Sequence, residues 1–439
     1  MTTSVRATVL QTPAPDRLVV LEDQYIELDD AGSIVVMRPA QSGDTADVAL
    51  GVDGVLMPGL IDTHVHAPQW PQLGTGLDLP LERWLFDYTF PLEARFADAA
   101  FARAVWDQMV PALLRLGTTT AVYYSSNDVA ATTSLAEACL QHGQRAFVGR
   151  VAMDHPLGTP DYYRDADPIQ SVQASATSIE QIRALAGVAP TALVKPIVTP
   201  RFIPACTDAA LEGLAELARS AGVLVQTHCS ESNWQHGYVL ERHGCTDTQA
   251  LERLGLLQDH TVLAHATHLN DADRSILASS GAGVAHCPLS NSYFSNAAFA
   301  LRRALDAGVR VGLGTDIAGG PQASVFANCE HAVTVSRMLE DGVDVGLAHD
   351  RGVPGSRVDT TAAFWCATAG GAELLGIPVG LIEVGRAFDA LAVDLTQLPS
   401  FTAELDAGDW PRTFEKIVRG LAGTPSAISQ VWVAGREVG

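Results

Sequence analysis

The stretch Pro58-Gly59-Leu60-Ile61-Asp62-Thr63-His64-Val65-His66 decides the reading of this chain: an apolar run that closes on two histidines one residue apart. Side chains alternate in direction along an extended strand, so a His-x-His pair turns both imidazoles to one face, close enough to share a metal ion. Apolar, β-branched runs of the same kind recur over 118–124, 146–154, 194–202, 223–231, 261–265, 283–288 and 309–316, which with the first makes eight. Most intervals carry a helical pattern, such as the one from Asp208 that stops at Gly222 and the one opened by Asn270-Asp271 that stops at Gly281. Strands buried on both faces and alternating with helices predict a parallel sheet, and eight such units predict a closed (β/α)8 TIM barrel.

The flanks read differently. Residues 1–57 hold short alternating runs such as Leu18-Val19-Val20-Leu21 and Ser33-Ile34-Val35-Val36-Met37, separated by turn chemistry. After Asp316 come two helical patterns, over 324–340 and 360–375, and then short strands at 390–393 and 430–435. The expected organisation is a barrel over 58–377 and a small discontinuous β-sandwich assembled from 1–57 and 378–439.

Composition limits the function classes. With 28 basic against 50 acidic residues the net charge is −22, which disfavours nucleic acid and anionic membrane as partners and suits a neutral small molecule. Hydrophobic residues make up 47% and charged residues 18%, the balance of a compact globule. The amino terminus lacks the apolar core of a signal peptide, and no run approaches the ~18 apolar residues of a membrane span, so a cytoplasmic protein is expected. Seven cysteines without a Cys-x-x-Cys pair are expected to be reduced and mostly buried, which argues against cysteine-ligated zinc.

In a TIM barrel the active site lies at the carboxyl ends of the strands, so a polar residue closing an apolar strand is a candidate ligand or catalyst. The first strand ends in His64 and His66, the fifth in His228 followed by Glu231, the sixth in His265, the seventh in His286 and the eighth in Asp316. Three imidazoles and a carboxylate suit one divalent ion, Zn2+ first and Fe2+ second, with His64, His66, His228 and Asp316 as ligands. His265 is either a fifth ligand or a group that orients the attacking water. A bridging lysine for a second metal is not in place: Lys195 precedes Arg201 by six residues, about 20 Å along an extended chain and towards the other end of the barrel. A divalent ion lowers the pKa of its water to about 7. Proton transfer then falls to Glu231, placed to protonate a substrate ring nitrogen, and to Asp316, placed to take the proton of the attacking water.

Several motifs resemble the amidohydrolase superfamily and its deaminase branch: Met57-Pro-Gly-Leu-Ile-Asp-Thr-His-Val-His66, His228-Cys-Ser-Glu231, Ala285-His-Cys-Pro288 with Ser290-Asn291, and Gly312-Leu-Gly-Thr-Asp316. Gln69, Leu77-Asp-Leu-Pro-Leu81 with Trp84-Leu85, Tyr88-Thr-Phe-Pro91 before Glu93, Gly143-Gln-Arg-Ala-Phe-Val-Gly149 and Val194-Lys-Pro-Ile-Val-Thr-Pro-Arg-Phe202 narrow the likeness to the guanine deaminase family. The resemblance implies hydrolytic deamination of guanine to xanthine and ammonia, within purine catabolism or salvage, by a homodimer. It also implies Arg201 on the substrate carbonyl oxygen, Gln69 reading the purine edge, Phe202 packed on the ring and Trp84 walling the pocket. Two departures, Ser292-Tyr-Phe-Ser-Asn296 after Asn291 and His268 after His265, leave a pterin such as isoxanthopterin as the alternative substrate. A non-catalytic scaffold fits poorly with a full ligand set, and cyclic amide hydrolysis fits poorly with the missing lysine.

Overall fold

The computed structural model describes residues 2–189, 191–406 and 408–438. The eight expected barrel strands are present: Leu60–His66, Thr118–Tyr124, Arg145–Gly149 continued by Val151–Ala152, Val194–Pro200, Leu224–Cys229, Val262–His265, Gly283–His286 and Arg310–Leu313. Each pairs in parallel with its neighbour in chain order. The eighth closes on the first through hydrogen bonds from Asp316 N to His64 O and from His66 N to Ile317 O, both 2.9 Å. Below them Asp62 staples the seam, its carboxylate accepting from Thr315 N at 2.9 Å and Thr315 Oγ1 at 2.6 Å.

The intervening helices start and stop where their capping residues dictate. Asp208–Ala221 is capped by the Thr207 side chain and ends at Gly222 with φ +61°. Asp271–Ser280 opens with a reciprocal capping box between Asn270 and Asp273 and ends at Gly281 with φ +74°. Ile61, Val122, Phe147, Ile197 and Val262 fill the lower barrel interior, covered by Leu374 and Leu375 from the helix Ala369–Leu375. With that end sealed by apolar packing, the polar layer lies at the carboxyl end.

Several strands stop short of the expected limits. The fifth ends at Cys229 and not at Glu231, because Ser230 turns to φ +47°. The eighth ends at Leu313, and Asp316 itself has φ +49°. The third breaks at Arg150 and finishes at Ala152, the fourth ends at Pro200 and the seventh at His286. The helical pattern over 360–375 is two helices broken at Thr368, whose φ of −132° and ψ of −95° lie outside the helical region.

The terminal segments form one continuous eight-stranded sheet that draws strands from both ends of the chain. Gly54–Pro58 sits between Ser4–Ala14 and Ala390–Asp394, and Met57 pairs with Leu391. The sheet curls on itself, with the turn at Gly32 meeting the turn at Ala434 so closely that a Cβ on Gly32 would lie 1.8 Å from Ala434 O. Val5, Ile26, Phe388 and Trp432 lie inside the curl. A helix over Trp410–Gly420 interrupts the returning strands, where the sequence predicts only strands and turns; Asp409 caps it, and Phe414 packs edge-on against Phe364 at 5.4 Å. Arg145 at the start of the third barrel strand joins barrel to sheet by a buried bidentate pair with Asp389, at 2.8 and 3.0 Å. Among the described residues no helix is long and apolar enough to cross a membrane. All seven cysteines are free, and every one except the half-buried Cys245 is buried.

Candidate active site

The carboxyl ends of the first, fifth, sixth and eighth strands bring six titratable side chains into one buried cluster. His66 Nε2 lies 3.0 Å from His228 Nε2. Asp316 Oδ1 lies 3.1 Å from His64 Nε2 and 3.5 Å from His66 Nε2. His265 Nε2 lies 3.6 Å from Glu231 Oε1 and 3.9 Å from Asp316 Oδ2. His286, the remaining strand-end histidine, stands apart from these groups and packs against Phe299 at 4.9 Å. Lys195 sits at the other end of the fourth strand, its ammonium 5.8 Å from the centre of the Phe147 ring.

The donor set fits a divalent ion. Neither ring nitrogen of His64 has a hydrogen-bond partner, nor does His265 Nε2, although all are buried. His228 Nδ1 donates to Arg201 O at 2.6 Å and His265 Nδ1 to Asn291 Oδ1 at 2.9 Å, so both rings turn an unprotonated Nε2 inward. Burial holds His64, His66 and His228 well below the usual imidazole range, and neighbouring imidazoles add to the shift, so the lone pairs are free to coordinate. His64, His228 and His265, and likewise His64, His66 and Asp316, present donor atoms all within 4.8 Å of one another.

The two carboxylates are driven towards different roles. Burial, reinforced by the negative charge of Asp316, pushes Glu231 well above the ordinary carboxyl range despite the opposing charge of Arg201. Burial also raises Asp316, but His265, Ser290 and Arg201 all favour its anion. Of the two, Glu231 is the one pushed more strongly towards its protonated form. Its backbone is fixed from behind: Glu231 N donates to Gln235 Oε1 at 3.3 Å, and the buried carboxylate of Asp247 accepts from Ser230 N, Gln235 Nε2 and His236 Nδ1 at 2.9 to 3.0 Å. His268 stacks on His236, outside the cavity, with ring centres 5.0 Å apart. Ser230, His265, Ala266 and Asp316 all have positive φ, a cost of ~1–3 kcal/mol each that the packed barrel sustains where the chain leaves its strands.

A narrow pocket opens onto this cluster, lined by Gln69, Trp84, Arg201, Phe202 and Glu231 among others. Two lining features lay outside the sequence reading. Phe294, from the divergent segment after Asn291, packs on Trp84 with ring centres 5.0 Å apart. Gly319 leaves room for the site, since a Cβ there would come within 2.6 Å of Asp316 Oδ2. Glu93 was legible only as part of a motif; it stands behind the cavity wall and accepts hydrogen bonds from Arg201 Nη1 at 2.5 Å, Arg201 Nη2 at 3.1 Å and Gln69 Nε2 at 2.8 Å.

Residues 55–438 match the amidohydrolase family. A probable guanine deaminase of Schizosaccharomyces pombe is 38% identical over 87% of this chain and 71% of its own length. The guanine deaminase of Dictyostelium discoideum is 34% identical over 87% of this chain and 82% of its own. The crystal structure of guanine deaminase from C. acetobutylicum, with guanine bound in its active site, superposes with a TM-score of 0.87 at 26% identity over 100% of both chains. A (β/α)8 hydrolase with this cluster at its mouth and these relatives along its length belongs to the amidohydrolase family and, within it, to the guanine deaminases.

Proposed function

We propose that this enzyme hydrolyses guanine to xanthine and ammonia, with His64, His66, His228 and Asp316 holding one divalent ion. The observation that carries the reading is the meeting, at one pocket, of the buried carboxyl groups of Glu231 and Asp316, a cluster of four buried imidazoles and the cationic donor Arg201. When bound, the ion supplies an acidified water as nucleophile. Arg201 and Gln69 hold the purine by its edge, while Phe202 and Trp84 pack on the ring and keep bulk water out. As the water oxygen bonds to the amine-bearing carbon, Asp316 takes its proton and Glu231 gives a proton to the adjacent ring nitrogen. Return of a proton to the exocyclic nitrogen releases ammonia and leaves the carbonyl of xanthine. His265, fixed by Asn291, steadies the water and Glu231.

The proposal extends to Zn2+ as the ion, because three imidazoles and a carboxylate are the set it favours. A cytoplasmic homodimer acting in purine catabolism or salvage belongs to the same proposal, with residues 58–377 as the catalytic unit. The deciding experiment is ammonia release by the purified enzyme from guanine, 8-oxoguanine, isoxanthopterin and cytosine. Preferred turnover of guanine is expected; preference for isoxanthopterin would move the site to pterins, and silence on all four would remove the reading.

A further inference from the structure

Arg201 and Gln69 face the cavity, yet neither is free to choose how it does so. Glu93, Arg201 and Gln69 are all buried, and Glu93 ties the other two together. Both terminal guanidinium nitrogens of Arg201, Nη1 and Nη2, donate to it, at 2.5 and 3.1 Å, and Gln69 Nε2 donates to it at 2.8 Å. Gln69 Oε1 is used on the opposite side, accepting from Ala318 N at 3.0 Å. A backbone N–H can only donate and a carboxylate can only accept, so these two partners fix which way the Gln69 amide points. With Gln69 Oε1 turned to Ala318 N, the donors left for a ligand are the second hydrogen of Gln69 Nε2 and the unused hydrogens of Arg201.

We propose that Glu93 is a positioning residue that sets the polarity of this recognition edge. Resting on the guanine reading, the inference is that the site accepts heterocycles presenting adjacent acceptors, a carbonyl oxygen beside an unprotonated ring nitrogen, and rejects those with an amine in place of the carbonyl. Guanine presents O6 and N7 in this way, whereas an amine at position 6 would set donor against donor. A buried edge whose donors cannot all be paired discriminates steeply. A glutamine at position 93 would itself offer both a donor and an acceptor. Ala318 N alone would then hold the Gln69 amide, and Arg201 would lose its charged partner, so the edge would keep its polarity less strictly.

The test compares kcat/KM for guanine and 2,6-diaminopurine in wild type, Glu93→Gln and Glu93→Asp, with metal content per chain measured alongside. Wild type should prefer guanine by on the order of 10^4-fold. Glu93→Gln should cut that preference at least 30-fold, mainly through KM, with metal retained, and Glu93→Asp should keep most of it. A wild-type preference that survives Glu93→Gln within twofold overturns the inference and leaves the guanine reading standing; a wild type inactive on guanine overturns that reading instead. Should Glu93→Gln fail to fold, Gln69→Leu carries the test, since it leaves the Glu93–Arg201 pair intact. There the preference for guanine over 2,6-diaminopurine should fall by more than about tenfold if the fixed Gln69 amide carries the polarity of the edge, and a smaller fall overturns the inference.

Discussion

Replacing Glu231 by glutamine isolates its proton from its shape. The side chain is 6% exposed, its backbone is held by Gln235 and its neighbour Ser230 by Asp247, so the amide should occupy the same volume without moving the turn. It is not one of the four proposed ligands, although with His265 and Asp316 it presents donor atoms within 4.8 Å of one another, so metal occupancy is read in the same experiment and is expected unchanged. What is lost is a carboxyl group whose affinity for a proton is raised by burial and by Asp316. General acid catalysis of this kind contributes roughly 10^2 to 10^4 in rate, equivalent to about 3–5 kcal/mol of transition-state stabilisation. Ammonia release from guanine under saturating substrate, with metal analysis of the same sample, reads both quantities. The expected outcome is kcat lower by about 10^3 with full metal. Turnover within tenfold of wild type would refute the assigned role, as would parallel loss of metal and activity, which would make Glu231 a ligand.

Chelation should abolish activity and Zn2+ should restore it; activity that survives complete metal removal would sink the ligand assignment. Asp316→Asn should weaken metal retention, read as metal per chain after dialysis. Asp389→Ala strands Arg145 in a buried site between barrel and sheet, so a loss of about 3–5 kcal/mol is expected in denaturant titration. Asp62 gives a pH signature, because burial pushes its carboxyl from 3.8 up to about 7. With the folded value above the unfolded one, its favourable contribution is full below about pH 4 and is lost as pH rises through about 7, by up to roughly 4 kcal/mol. Asp62→Asn can keep Oδ1 as acceptor for Thr315 N and donate to Thr315 Oγ1, so its melting temperature, relative to wild type, should rise between pH 5 and 8.5.

How far the sequence could be read follows from the range over which each feature is encoded. His64 and His66 were legible because a period of two is local, and Asp316 because a polar residue ends an apolar run whatever lies beside it. The same local reading overran the strands at Ser230 and Asp316, because both apolar runs continue into residues whose backbone is left-handed, a change that composition does not signal. The helix Trp410–Gly420 was legible and was passed over: Trp410, Phe414, Ile417 and Val418 recur at helical spacing behind the cap Asp409, and their apolar face packs on Phe364. Glu93 is the instructive case. It lies on the four-residue helix Phe90–Glu93 and is separated from Arg201 by 108 positions, so no periodicity points to it. The contrast with His228 is physical: His228 lies within a strand, and strands are written locally, whereas the carboxylate that orients a pocket residue can arrive from any segment that folds back over the barrel mouth. The clustered strand-end histidines were therefore open to reading from the chain, while the tie of Glu93 to Arg201 and Gln69 became visible only through long-range hydrogen bonds.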